Sequence, residues 1–166
     1  VYNWSCEFDL EFKELLEKYK EKSISIFNIE REQAKPRKDY SCYSDIKNQI
    51  WYMYDELFDK NEKNYEFQKI TDKEEIKKIL TTYINEYYVD SDSDAWFNKM
   101  KEMAEKLGYA SNMKEYKQNP DNYKGNIADI SNVLRVALTT KSMTPDLYQI
   151  MKILGSDTIK KRFELI

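Results

Sequence analysis

Arg135 is the residue whose type and setting point most directly to chemistry. It lies in Val133-Leu134-Arg135-Val136-Ala137-Leu138-Thr139. On a helical wheel at roughly 100° per residue, Ile130, Val133, Leu134, Ala137 and Leu138 fall on one side, and Arg135 projects about 130° from the centre of that stripe. The expectation is a presented side chain. A guanidinium offers a planar fork of donors suited to a nucleobase edge or a phosphate, which a lysine ammonium serves less specifically. An ordinary surface salt bridge is the alternative use of such an Arg. Further on, Thr144-Pro145-Asp146-Leu147 has the pattern of a helix start, with Thr144 as N-cap and Pro145 as the first helical residue. Unpaired backbone N–H groups at a helix start can meet acceptors. Asp146 already answers the helix dipole there, which favours base-edge contact over phosphate capture.

Other chemistries find no support. The chain has no His, so His-dependent triads and His-ligated metals are excluded for it. Cys6 and Cys42 belong to no Cys-x-x-Cys pair and read as structural or incidental thiols, with a disulfide between them disfavoured inside a cell. Asp90-Ser91-Asp92-Ser93-Asp94 has a calcium-loop alternation, but the central Gly and the twelfth-position Glu are missing, so a linker with a helix cap is the expected role. No Gly-rich phosphate cradle occurs, and the many carboxylates fall on exposed helix faces without an acid/base pattern. No catalytic or metal-binding residue is therefore assigned. The 14 Tyr residues invite base stacking, but most sit among Lys, Asn and Ile, as in a compositionally biased genome, and none is singled out.

The elements that must position Arg135 and Thr144 are helical. Three Gly and three Pro, with apolar residues mostly at helical spacing, predict an all-α chain. One helix is expected through Leu10, Phe12, Leu15, Leu16 and Tyr19, and a shorter one around Ile24, Ile26, Phe27 and Ile29. Ser44 is the expected N-cap of a helix carrying Ile46, Ile50, Trp51, Tyr54, Leu57 and Phe58. Thr71-Asp72-Lys73-Glu74 has capping-box spacing ahead of Ile76, Ile79, Leu80 and Tyr83. After the acidic seam, Trp96, Phe97, Met100, Met103, Ala104 and Leu107 form one face that ends at Gly108. A helix beyond Asn126 carries the Arg135 stripe, and the one after Thr144-Pro145 turns Leu147, Ile150, Met151 and Leu154 inward. Gly155 stops that helix, and Ser156 caps a last one. The seam divides the chain into two expected helical subdomains, residues 1–90 and 91–166.

Charge follows the same division. The net charge of −3 conceals 15 Lys/Arg against 22 Asp/Glu in residues 1–95, a balance of −7, and 12 against 8 in residues 96–166, a balance of +4. RNA binding needs locally concentrated cations, so the C-terminal part is the better candidate, with ordinary solvated helix faces as the alternative. Charged residues at 34% and hydrophobic ones at 41% suit a folded body. No stretch approaches a membrane span, and no secretory signal opens the chain. The 166 residues are modest for a complete ATP-dependent enzyme with an RNA substrate, and the start at Val1 without Met suggests a segment of a longer protein.

Leu107-Gly108-Tyr109-Ala110, Lys114 to Pro120, Tyr123-Lys124-Gly125, Leu134-Arg135-Val136-Ala137-Leu138-Thr139 and Thr144-Pro145-Asp146-Leu147 together resemble the C-terminal anticodon-binding domain of bacterial glutamyl-tRNA synthetases. In that family a Leu-Arg-x-Ala-Leu-Thr segment and a Thr-Pro-x-Leu segment meet the last bases of the anticodon. The resemblance implies that role for Arg135, Thr144, Pro145 and Leu147. Thr140 stands where relatives often have Gly, a departure that bears on the intervening turn. Ile29 to Asp39 is similar to a Pro-Arg-Lys-Asp segment of a subgroup, implying contact of Arg37 and Lys38 with the RNA backbone; a solvated loop is the alternative. The resemblance further implies a class I helical bundle, glutamate tRNA as partner, a cytoplasmic protein, and a separate N-terminal catalytic part that uses ATP and magnesium. This chain has neither the His-Ile-Gly-His-like nor the Lys-Met-Ser-Lys-Ser-like signature of that part. A helical protein-interaction module whose basic C-terminal face docks an acidic partner is the rival reading, and a synthetase-like paralogue with altered tRNA choice is a third.

Overall fold

A computed structural model of the chain describes residues 1–36, 38 and 40–166. The described residues form α1 (Tyr2–Phe8), α2 (Leu10–Lys18), α3 (Lys20–Asn28), α4 (Tyr43–Ile50), α5 (Asp55–Lys60), α6 (Lys73–Thr82), α7 (Ser93–Leu107), α8 (Met113–Gln118), α9 (Ile127–Thr139) and α10 (Leu147–Phe163). Short 3-10 turns occupy Trp51–Met53 and Pro120–Asn122, and a π turn follows α6 at Tyr83–Tyr87. No strand occurs among them; one isolated parallel bridge joins Ala110 to Asn126. The all-α expectation therefore holds.

Local chemistry accounts for most helix ends. Asp92 accepts the Ala95 N–H at 2.8 Å to start α7, so the acidic seam is a cap. Gly108 ends α7 at φ 84°, a left-handed backbone that costs glycine little. Asn126 and Asp129 form a reciprocal capping box at α9. Gly155, at φ 77° and ψ 164°, breaks α10 into two stretches.

Three starts in the first half of the chain differ from expectation. The helix beginning at α4 is capped at Cys42, one turn ahead of its apolar residues, and not at Ser44. Asp72, not Thr71, caps α6 by accepting the Glu75 N–H at 2.9 Å. The helix expected from Ile46 to Phe58 is broken at Tyr54, which takes an extended backbone at φ −115° and ψ 124°. Neither Gly nor Pro causes this break. Tyr54 is fully buried, with its hydroxyl 2.8 Å from that of Ser23 on α3, and the kink delivers the ring to that partner.

Helix α9 is the axis of the bundle. Ile130, Val133, Leu134, Val136, Ala137 and Leu138 are all essentially inaccessible, so its buried face is broader than the stripe read from the sequence. It packs on α6, α7, α10 and the Trp51–Met53 turn, while α10 packs on α3 and that same turn. One continuous cluster of buried side chains runs from Phe12 to Phe163 and spans the seam. At 1% exposure, Arg162 closes it from the C-terminal side. Its Nη1 donates to the carbonyls of Tyr52 and Leu138 at 2.7 Å each, and its Nη2 to Asp55 at 2.8 Å. The guanidinium lies 3.8 Å from the centre of the Phe58 ring. The cation thus joins α10 to the ends of α9 and of the Trp51–Met53 turn.

Candidate nucleic-acid interface

The corner between α9 and α10 brings the two C-terminal motifs together. Arg135 is half-buried, not freely presented. Its Nη1 donates to the Pro145 carbonyl at 2.7 Å and to the Thr144 carbonyl at 3.2 Å, and it also meets the Thr144 hydroxyl. The wheel angle placed the helix position correctly; the following loop then folded back over it. A cation beside two backbone carbonyls replaces part of its hydration shell with protein oxygens.

The loop has further braces. The Thr139 hydroxyl donates to the Arg135 carbonyl at 2.7 Å and accepts the Lys141 N–H at 3.1 Å. Lys141 Nζ donates to the carbonyls of Asn48 at 3.1 Å and Gln49 at 3.4 Å, near the C-terminal end of α4. Its burial pulls the ammonium below the ordinary lysine value. Glu30, just beyond α3, accepts the Asp146 N–H at 3.2 Å. The segment similar to the Pro-Arg-Lys-Asp patch therefore begins against the Thr-Pro turn, although the two are far apart in sequence. Tyr40 shares a small cleft with Thr144 and Pro145. Lys38 is exposed, and Arg37 lies outside the described residues.

Helix α10 begins two residues later than expected. Asp146 is its N-cap, accepting the Gln149 N–H at 2.8 Å, so Thr144 and Pro145 form the turn ahead of the helix. Asp has the acceptor geometry and the charge for that post. Thr144 is 8% exposed and Leu147 only 3%. The buried Leu147 side chain anchors the turn in the core, and Pro145 remains half-exposed beside it. Sequence reasoning missed Glu30 and Lys141, since nothing local in either residue announces a partner across the fold.

Thr140 carries the cost of this corner. It ends α9 at φ 61° and ψ 3°, a left-handed conformation that a β-branched residue rarely adopts. Such strain is worth about 1–3 kcal/mol, offset by the roughly 0.5–1 kcal/mol of extra chain entropy that a glycine loses on folding. Thr140→Gly is thus expected to stabilise the chain by about 1 kcal/mol. A thermal melt checks this; an unchanged or lower midpoint would show that the turn tolerates Thr without strain.

Among the described residues no group of three or more His, Cys, Asp or Glu side chains is arranged to hold a metal, and no helix is long and apolar enough to cross a membrane. A groove of about 1230 Å³, lined in part by Leu16, Ile24, Phe27 and Ile46, has none of Lys38, Arg135, Thr144, Pro145 and Leu147 in its lining.

Known proteins are similar to this chain along nearly its whole length. Residues 11–166 match the family described as the anticodon binding domain. The chain is 41% identical over 163 residues to the glutamate–tRNA ligase of Clostridium perfringens (strain SM101 / Type A), covering 98% of this chain and 30% of that protein. It is likewise 41% identical over 163 residues to the glutamate–tRNA ligase of Clostridium beijerinckii, covering 97% and 30%. To that of Acetivibrio thermocellus it is 38% identical over 164 residues, covering 99% and 30%. The chain therefore spans about 30% of the length of these relatives. No solved structure matches it. With the match running through both motifs of the α9–α10 corner, the chain belongs to the anticodon-binding domain family.

Proposed function

We propose that this chain is the anticodon-recognising part of a glutamate–tRNA ligase, and that it holds the anticodon loop of glutamate tRNA at the α9–α10 corner. The observation that carries this reading is the clamp of Arg135 on the Thr144–Pro145 turn. It joins into one surface two segments that the sequence separates. Arg135, Thr144, Pro145 and Leu147 are the residues of that surface: Arg135 sets the turn and faces the last anticodon base, Thr144 and Leu147 hold the turn to the core, and Pro145 meets the base. Lys38, with Arg37, supplies cations to the RNA backbone along the segment that Glu30 ties to the turn.

A glutamate anticodon ends in cytosine, whose O2 and N3 acceptors suit a guanidinium donor. The acceptor end of the tRNA reaches an active site in the remainder of a longer cytoplasmic protein, and ATP and magnesium act there. Residues 1–90 and 91–166 form the two helical subdomains of this chain, which share one core. The +4 balance of residues 96–166 supports binding to RNA.

The test is a titration of the chain with glutamate tRNA at two salt concentrations. Binding that weakens steeply with salt, and that is competed by an isolated anticodon stem-loop, is expected. Retention of an acidic protein partner with no affinity for tRNA would instead establish the interaction-module reading.

A further inference from the structure

We propose that a shallow recess between α7 and α9 seats one unstacked nucleobase, with the face of Phe97 as its platform and Asn132 reading its edge. The inference rests on the anticodon-binding reading and adds a residue from a helix that neither C-terminal motif contains.

Phe97 is 45% exposed, although it lies on the helix that buries Met100, Met103, Ala104 and Leu107 and half-buries its neighbour Trp96. The recess beside it measures about 330 Å³ and is bordered by Ile127, Ala128, Ser131, Asn132 and Arg135. That volume lies at the lower end of small-molecule pockets, a size for a single heterocycle and not for a peptide helix. Its chemistry is that of a base seat. Ile127 and Ala128 supply an apolar wall, and Phe97 supplies a π face on which any base can stack. The Asn132 side chain offers both a donor pair and an acceptor, the combination needed to pair with a base edge. The Ser131 hydroxyl donates back to the Ile127 carbonyl at 2.9 Å, which leaves its oxygen an acceptor toward the recess.

Charge supports an RNA occupant. Lys101 Nζ lies over one face of the Phe97 ring, 4.6 Å from its centre, so a base that stacks on Phe97 takes the opposite face or displaces this cation toward its own phosphate. The recess also adjoins the clamp, because Arg135 and Ser142 border it from the side of the Thr-Pro turn. One strand of RNA can thus place one base at the turn and a neighbouring base on Phe97.

The experiment titrates the wild-type chain, Phe97→Ala, Phe97→Leu, Phe97→Trp and Asn132→Ala with glutamate tRNA and with versions abasic at single anticodon positions. Phe97→Ala is expected to weaken binding about 5- to 150-fold, the range of one base–aromatic stack. Phe97→Leu keeps the helix and most of the apolar volume but removes the π face, and is expected to lose nearly as much. Phe97→Trp retains binding. The loss from Phe97→Ala should vanish with the tRNA that is abasic at one particular position, because the partner base is then already gone. Asn132→Ala should change the preference among bases at that same position.

Folded Phe97→Leu protein that binds like wild type would overturn the proposal, as would an equal loss with every abasic tRNA. If Phe97→Ala and Phe97→Leu bind with wild-type affinity and keep their dependence on the anticodon, the recess assignment alone fails. A wild-type chain that ignores the anticodon removes both readings.

Discussion

Replacing Arg162 by Ala is expected to cost about 3–5 kcal/mol, because the change breaks a buried charged network by removing one partner. A domain of ordinary stability has only about 5–15 kcal/mol in total. The substitution strands the carbonyls of Tyr52 and Leu138 inside the core, takes the counter-charge from Asp55 and empties the space over the Phe58 ring. Arg162→Met separates the causes. It restores much of the volume and the contact with Phe58 but no donor, so a loss nearly as large as that of Ala would assign the effect to the unpaired carbonyls. Chemical denaturation followed by circular dichroism measures both. A loss below about 1 kcal/mol for Arg162→Ala would mean that water replaces the guanidinium at no net cost.

Arg135→Ala carries the second large effect, and it acts on two observables. On the role proposed for Arg135, its removal is expected to cost about 1–3 kcal/mol of discrimination at the last anticodon position. Read from the sequence alone, the same substitution leaves folding nearly unchanged. The structure alters that expectation, since the carbonyls of Thr144 and Pro145 lose a charged donor at a half-buried site. A stability loss of about 1–2 kcal/mol follows. Arg135→Lys distinguishes positioning from charge. It retains the cation for phosphate neutralisation but lacks the planar fork, so salt dependence persists while base discrimination falls. Titration of each variant with matched and altered anticodons reads out both effects. Loss of affinity that is equal for all tRNAs would assign Arg135 to the backbone instead.

What was legible in the sequence was mostly local. Asp92, Gly108, Asn126 and Gly155 mark helix ends through their own side chains or their lack of one, and each does so in the fold. Helix α1 has no apolar period to betray it: it is one short stretch in which Tyr2 and Phe8 are exposed, Trp4 is half-buried and the buried residue is Ser5. Asp9 ends α1 and caps α2 by accepting the Phe12 N–H at 3.0 Å, a double duty that a one-helix reading merges. The break at Tyr54 is set by a tertiary partner, Ser23, and has no local signal.

The candidate site follows the same division. Arg135 and the Thr-Pro segment were found from residue type, wheel angle and resemblance, but the contact between them depends on the loop that returns across α9. Arg162 lies in a run with Lys160 and Lys161 that reads as a basic helix end. On the stretch after the break at Gly155 it stands three residues beyond Ile159 and next to Phe163, so it shares the face of two buried apolar side chains. Glu30 takes up the Asp146 N–H from another part of the chain, a contact that neither residue's neighbours predict.

The most direct measurement of the central claim is the affinity of the wild-type chain for glutamate tRNA and for the same tRNA altered only at the last anticodon base, at one fixed salt concentration. Recognition at the α9–α10 corner predicts that the altered tRNA binds more weakly by a factor of about 5–150, the equivalent of one good base contact. Equal affinity for the two would contradict it, leaving a surface that holds RNA by charge and reads no base.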